Sequence, residues 1–234
     1  MPEEINRLLT DQIADLLLTP SKDADENLLN EGIPAERIRF VGNVMIDSLQ
    51  QNLERSQQST IRDELGLQKS SYAVMTLHRP SNVDESEPFA RILDALENIT
   101  EAIPVVFPMH PRTRRTVAEL GLGQRITEMK GLRLIEPLGY LDFLNLYSNA
   151  RFVLTDSGGI QEETTALGIP CLTLRENTER PITVELGTNT IVGTDPRRII
   201  EAAAAALNGK ARPRSVPPLW DGKTAGRILD ELVR

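Results

Sequence analysis

The segment Leu154-Thr-Asp-Ser-Gly-Gly-Ile-Gln-Glu-Glu163 carries the sharpest chemical signal in the chain. A β-branched run enters Asp156-Ser157-Gly158-Gly159, and a helical pattern follows. In parallel α/β sheets, ligands bind where a strand's carboxyl end feeds a helix start. The unpaired N–H groups of a helix's first turn, with the positive end of its dipole, favour an anion such as phosphate. Glycines let the backbone approach that anion closely, and the Ser157 hydroxyl adds a donor. Glu163 lies four residues after Gly159 and shares its helix face. Because helical side chains lean toward the amino end, Glu163 is placed to accept hydrogen bonds from a sugar diol. A capped helix after a tight turn would use the same residues, and Ser-Gly-Gly is much less specific than a full P-loop.

The chain has two histidines, and each follows a predicted strand with arginine close by. His78 lies in Thr76-Leu-His-Arg-Pro80 and His110 in Pro108-Met-His-Pro-Arg112. This repeated placement suits an anionic ligand across the top of a sheet, although structural histidines also occupy such turns. Leu174-Arg-Glu-Asn-Thr-Glu-Arg-Pro181 adds Arg175 and Arg180. Arginine suits bidentate phosphate recognition; the alternative is a solvated loop of Arg–Glu pairs. In Met1-Pro-Glu-Glu-Ile-Asn-Arg7, paired acids at a helix start are ordinary partners of the helix dipole.

These residues need a scaffold. Short β-branched runs at 14–19, 38–41, 73–77, 105–109, 132–135, 152–155, 171–174 and 190–192 read as strands. Amphipathic stretches at 3–11, 23–31, 86–102, 112–120, 140–148, 158–167, 196–207 and 223–233 read as helices. That alternation predicts an α/β fold with a parallel sheet covered on both faces. Asp195-Pro196 supplies a helix cap and first residue, and Gly209 a stop. Residues 51–59 (QNLERSQQS) and 210–219 (KARPRSVPPL) read as connections. Only two strands precede residue 51, too few for an independent α/β domain.

The 234 residues fit one large domain or two small ones. With 40% apolar and 26% charged residues, a core can form. The single cysteine leaves no pair for an internal disulfide and no Cys-based metal cluster, and fits a reducing cytosol. No apolar run reaches the ~18 residues of a membrane span, and Pro-Glu-Glu after Met1 does not match a secretory signal. A net charge of −8 and 4% aromatics argue against bulk nucleic-acid binding.

Taken in order, Pro2-Glu3-Glu4-Ile5-Asn6-Arg7, Val41-Gly42-Asn43-Val44-Met45-Ile46-Asp47, His78-Arg79, His110-Pro111, Tyr140-Leu141-Asp142-Phe143, Asp156 through Glu163, Thr178-Glu179-Arg180-Pro181 and Asp221-Gly222-Lys223 resemble the non-hydrolysing UDP-N-acetylglucosamine 2-epimerase family. The resemblance covers essentially the whole chain. It implies a glycosyltransferase-B fold (UDP-glycosyltransferase/glycogen phosphorylase-like), two Rossmann-like domains facing across a cleft, of which this chain holds the carboxyl-terminal half. The implied division is 1–50, a remnant of the amino-terminal domain with the connection; 51–215, the UDP-binding domain; and 216–234, a terminal helix returning toward the first. The implied activity interconverts UDP-GlcNAc and UDP-ManNAc for surface polysaccharide precursors, by eliminating UDP to a glycal and adding it back.

By the same resemblance, Glu3 and His78 are catalytic. His78, Arg79, Leu138, Phe143, Ser157, Gly158, Gly159, Glu163 and Arg180 bind UDP, with Phe143 and the backbone near Leu138 beside uracil. His110 matches a histidine of a second, activating UDP-sugar site in some members. No cofactor or metal is expected. The implied partners are a UDP-sugar and, for the full-length protein, a second copy, with no nucleic acid or membrane; the implied location is the cytoplasm. The chain starts at the Pro-Glu-Glu motif, and Glu3 alone remains of the acid set, so weak or no turnover by the chain alone is expected. The alternatives are a non-catalytic UDP-sugar-binding module, an epimerase of a UDP-diacetamido-uronic acid, or a glycosyltransferase of the same architecture.

Overall fold

The computed structural model describes residues 2–210 and 215–233. The chain forms two compact units, Met1–Gln51 with Val216–Arg234, and Asn52–Ser215.

In the smaller unit, strands β1 (Leu17–Thr19) and β2 (Ile38–Phe40) pair in parallel through the crossover helix Lys22–Asn30. Leu17, Leu28, Ile33 and Ile38 close a small apolar cluster between them. The helix Pro2–Ile13 precedes β1. Its Arg7 bridges Glu4, Asp11 and Glu31, at 2.7, 2.8 and 2.6 Å. Two of the motifs noted above meet here. Asp47, 4% exposed, accepts hydrogen bonds from the N–H groups of Thr224 (3.1 Å) and Ala225 (2.7 Å), capping the helix Thr224–Leu232. Gly42 has φ 98°, and a Cβ there would collide with the Leu219 carbonyl oxygen. The buried Trp220 donates its indole N–H to the Pro20 carbonyl at 2.9 Å. The Val-Gly-Asn…Asp and Asp-Gly-Lys motifs therefore hold this unit's backbone together.

The larger unit is built on a six-stranded sheet of β3 (Ala73–Thr76), β4 (Val105–Pro108), β5 (Leu132–Ile135), β6 (Val153–Thr155), β7 (Cys171–Thr173) and β8 (Asn189–Ile191). All its pairings are parallel, and the order is β5-β4-β3-β6-β7-β8. Successive strand side chains alternate between faces. Ala73, Met75, Leu77, Val105 and Phe107 join one core with residues of the helices Ser86–Ala102 and Pro196–Leu207. Val74, Val106 and Val153, fully buried outside that cluster, face the opposite side. Being buried on both faces explains why these strands read as short continuous apolar runs. Asp195 caps Pro196–Leu207 through the Arg197 N–H at 2.9 Å.

The structure corrects some element boundaries. Residues 51–59 are largely helix, as the end of Val44–Ser56. The strand expected at 14–19 starts at Leu17 because the first helix runs to Ile13. Short helices at Ile61–Glu64, Pro80–Val83, Gly123–Glu128 and Pro181–Glu185 went unread. Of the connection at 210–219, residues 211–214 lie outside the described residues.

The chain builds outward from β3 through β4 to β5, then returns to β6 on the other side of β3 and builds outward again. The reversal makes the carboxyl ends of β3 and β6 the topological switch point, the usual ligand position in open α/β sheets.

Candidate functional site

Register places the two signal-bearing turns side by side. Thr76 of β3 is opposite Thr155 of β6, so the residues that follow, His78 and Asp156, emerge together at the switch point. Asp156 is 0% exposed. Its carboxylate accepts the His78 N–H (3.1 Å), the Arg79 N–H (2.9 Å) and the Asn82 side-chain amide (3.2 Å). It also contacts His78 Nδ1 at 3.0 Å. Asn82 donates as well to the Leu174 carbonyl at 2.8 Å, joining the turn after β3 to the end of β7. Burial pushes the Asp156 carboxyl up, but these donors together hold it below the usual range, so it stays ionised. Its hydrogen bond and charge raise the affinity of the His78 imidazole for a proton, against partial burial and Arg79.

Ser157 is the N-cap of the helix Gly158–Leu167, and its hydroxyl makes no capping bond. Its own N–H is taken by the Thr155 hydroxyl at 3.0 Å. Gly158 and Gly159 open the helix, and a Cβ on either would meet nothing within 4 Å. The first-turn N–H groups of a helix have no acceptor inside it, and this helix start follows directly on Asp156, which contacts His78.

One turn along, Glu163 is 6% exposed. Tyr147, itself fully buried, donates to Glu163 Oε2 at 2.7 Å, and Tyr140 to Oε1 at 3.3 Å. Burial raises the Glu163 carboxyl, and the two hydroxyls offset part of the rise. Burial and the neighbouring carboxylate push Tyr140 up to about 12 and Tyr147 up as well, so both phenols remain donors. A carboxylate has about four acceptor positions, so it can accept further donors such as a diol. Phe143 packs against Tyr147, ring centroids 5.2 Å apart and tilted by 58°. Leu138, half-buried, lies in the segment between β5 and the helix Tyr140–Ser148.

The loop after β7 carries the arginines, each engaged by a carboxylate. Arg175 pairs with Glu179 at 2.9 Å, Arg79 with the same Glu179 at 3.5 Å, and Arg180 with the buried Glu162 at 2.9 Å. A buried amide network anchors the loop. Gln161 Oε1 accepts from the Thr178 hydroxyl (2.5 Å) and Asn189 (3.1 Å), and Thr178 in turn accepts the Arg180 N–H (3.0 Å).

Within the larger unit, His78, Arg79, Ser157, Gly158 and Gly159 converge at the β3/β6 switch point, and Glu163 and Arg180 lie on or against the helix Gly158–Leu167. His110 follows β4 and is exposed. Glu3 is exposed on the helix Pro2–Ile13 of the smaller unit. The sequence reading assigned no role to Asp156, Asn82, Tyr147, Gln161 or Thr178, each of which has a side-chain partner 16 to 92 residues away in the chain. Only Asp156 carried a signal, as the first residue after a strand and next to Ser-Gly-Gly.

A parallel sheet with a topological switch point, a glycine-opened helix and a buried carboxylate one turn along make the larger unit Rossmann-like. The family profile described as UDP-N-acetylglucosamine 2-epimerase matches residues 1–233. The chain is 42% identical over 240 residues to the UDP-N-acetylglucosamine 2-epimerase of Methanocaldococcus jannaschii, covering 98% of this chain and 63% of that protein. It is 39% identical over 238 residues to the UDP-2,3-diacetamido-2,3-dideoxy-D-glucuronate 2-epimerase of Pseudomonas aeruginosa, covering 100% of this chain and 64% of that one. The crystal structure of the M. jannaschii enzyme in complex with UDP-GlcNAc and UDP superposes with a TM-score of 0.88 at 42% identity, over 100% of this chain and 65% of that one. The chain belongs to the UDP-N-acetylglucosamine 2-epimerase family and spans somewhat under two thirds of the length of these relatives.

Proposed function

We propose that this chain supplies the UDP-binding part of a non-hydrolysing UDP-N-acetylglucosamine 2-epimerase, and that the whole protein interconverts UDP-GlcNAc and UDP-ManNAc. The observation that carries this reading is the open cradle of Ser157, Gly158 and Gly159 beside His78 at the switch point.

The C2 proton of the sugar is not next to a carbonyl, so direct removal is very difficult. Elimination avoids the problem. The C1–O bond breaks with its electron pair leaving on UDP, C2 loses its proton to a carboxylate, and a C1–C2 double bond forms. UDP then adds back at C1 while C2 takes a proton on the opposite face. Charge builds on the departing diphosphate, so fixed donors aimed there lower the barrier. The backbone N–H groups of Gly158 and Gly159, the Ser157 hydroxyl, His78, Arg79 and Arg180 are those donors. Arg180 and Arg79 reach phosphate by exchanging their carboxylate partners for it. Glu163, held by Tyr147 and Tyr140, accepts the ribose hydroxyls, and Phe143 with the Leu138 backbone flanks uracil. Glu3 serves as an active-site carboxylate. His110 contributes to a second UDP-sugar site.

In this reading, residues 1–50 and 216–234 belong to the amino-terminal side of the enzyme and 51–215 form the UDP domain. The same machinery suits any UDP-activated 2-acetamido sugar, and the similar identity to the diacetamido-uronate enzyme keeps that sugar as the second substrate to assay. Calorimetric titration with UDP, paired with NMR detection of UDP-ManNAc formed from UDP-GlcNAc, tests the proposal. Saturable UDP binding is expected. Absence of binding overturns the reading, and binding without turnover limits the chain's role to holding the nucleotide.

A further inference from the structure

His78 is the most exposed member of the switch-point cluster, its side chain 55% accessible, and it contacts the least exposed, Asp156, at 0%. A surface imidazole ordinarily rotates about two bonds and exchanges its proton between two nitrogens. Here the backbone N–H groups of His78 and Arg79 and the Asn82 amide fix the carboxylate, and the carboxylate fixes Nδ1 of the ring. With Nδ1–H committed to Asp156, Nε2 is the ring nitrogen left for a ligand. A hydrogen bond to one ring nitrogen selects what the other can do.

We propose that Asp156 is a positioning residue. It engages Nδ1–H of His78 in both protonation states, fixing the Nδ1–H tautomer of the neutral ring and favouring the imidazolium, whose Nε2–H is a charged donor aimed at the diphosphate. This deepens the UDP-binding reading and rests on it. Asp156 does not touch the ligand and no proton is transferred. The ion-paired imidazolium offers a charge-assisted hydrogen bond, about twice as strong as a neutral one. Two charged groups act on the ring. Asp156 follows β6 and favours the protonated ring, and Arg79, on the ring's own turn, opposes it. Arg79 is itself paired with Glu179 of the loop after β7, at 3.5 Å. The shared Asp156 bonds also explain why the turn after β3 and the start of the helix Gly158–Leu167 keep a fixed relation.

The chain's two histidines make the test direct, because an imidazole ¹⁵N spectrum contains only His78 and His110. Recorded without ligand, wild type is expected to show His78 as the Nδ1–H tautomer, titrating above an ordinary histidine. Asp156→Asn removes the charge, so His78 should titrate lower, and unchanged backbone amide chemical shifts away from the site serve as the control of folding. In calorimetry, UDP affinity should fall as pH rises through the His78 titration, and that limb should move to lower pH in Asp156→Asn. At neutral pH the variant should bind UDP roughly ten- to a hundredfold more weakly. The ligand's terminal phosphate also titrates near pH 6, and its contribution is read from His78→Asn, which lacks the imidazole.

A wild-type His78 in the Nε2–H tautomer overturns the proposal, and this spectrum decides the matter even if the variant fails to fold. So does a His78 titration or a UDP affinity that Asp156→Asn leaves unmoved. Failure of the wild type to bind UDP at any pH is a different result. It overturns the functional reading and is distinguishable because the spectra need no ligand.

Discussion

Replacing Gly158 by alanine separates what the fold needs from what the ligand needs. Gly158 and Gly159 are the first two residues of their helix, and a Cβ on either meets nothing within 4 Å. The unliganded protein thus has room for the methyl group. Alanine is also the better helix former, by up to about 1 kcal/mol in a helix interior and less at the first position. In a protein of this size such a gain raises the melting temperature by about 2–4 °C at most. The ligand meets the opposite situation. Cβ bonds in a helix lean toward the amino end, so the methyl occupies the space in which a phosphate oxygen must come within about 2.9 Å of the N–H groups. Losing one such charged hydrogen bond costs about 1.5–3 kcal/mol, roughly a ten- to hundredfold loss in affinity. Calorimetry with UDP and thermal unfolding of the same sample should therefore show weaker binding with unchanged or slightly greater stability. Gly168→Ala is the control. That residue ends the same helix at φ 72°, where alanine is strained, so it should lose about 1 kcal/mol of stability and bind UDP normally. A Gly158→Ala protein that binds UDP like wild type, or is destabilised like Gly168→Ala, refutes the reasoning.

Other perturbations reach different parts of the molecule. Burial raises the Glu163 carboxyl, so the folded state holds its proton more tightly and stability falls as pH rises from the unfolded value of 4.5 through the raised folded one. Glu163→Gln should remove that loss, raising the melting temperature at neutral pH more than at pH 4 while weakening UDP binding; equal shifts at both pH values count against it. Arg180→Ala should weaken UDP binding by about 1.5–3 kcal/mol and also destabilise the fold, since Glu162 loses a partner. Adding Glu162→Gln should restore stability and leave binding weak, and recovered binding would deny Arg180 its phosphate role. Asp47→Ala removes the cap of the helix Thr224–Leu232 and should cost about 1–2 kcal/mol. The chain's single tryptophan, Trp220, reports on that unit by fluorescence during urea unfolding, and an unchanged midpoint contradicts the capping role.

The sheet was the most legible part of the fold because its signal is local. The central strands β3, β4, β6 and β7 are short runs buried on both faces, and all eight strands lie within a residue or so of the runs that predict them, except that β1 starts three residues late. The helices Ser86–Ala102 and Pro196–Leu207 were equally plain, one from its apolar stripe and the other from its Asp-Pro start. The helix Val44–Ser56 was obscured because its second half, QNLERS, is polar. Ile46 and Leu49, both 0% exposed, anchor the first half, and Asn145 binds the Ser56 carbonyl at 2.8 Å near its end. Those contacts come from tertiary structure that no window of sequence displays. Pro80 and Pro181, each at the first turn of a short helix, were usable start signals.

In the candidate site, the glycine-opened helix start could be read from spacing. The partners that hold it in place could not. Asp156 reaches a turn 78 residues earlier in the chain, and Tyr147 meets Glu163 across 16. Such pairs become visible only once the switch point brings the ends of β3 and β6 together. The arginines near the site were legible as cations and Arg–Glu pairing within the loop 174–181 was the stated alternative, but Glu162, the partner of Arg180 outside that loop, was not distinguishable from the other acids.

The central claim is that a nucleotide diphosphate sits on the amino end of the helix Gly158–Leu167, beside His78. A crystal structure of the chain with UDP tests it most directly. The account predicts diphosphate oxygens about 2.7–3.1 Å from the backbone nitrogens of Gly158 or Gly159, His78 Nε2 turned toward them, and the ribose hydroxyls on Glu163. UDP bound elsewhere, with that helix end facing only solvent, would contradict it.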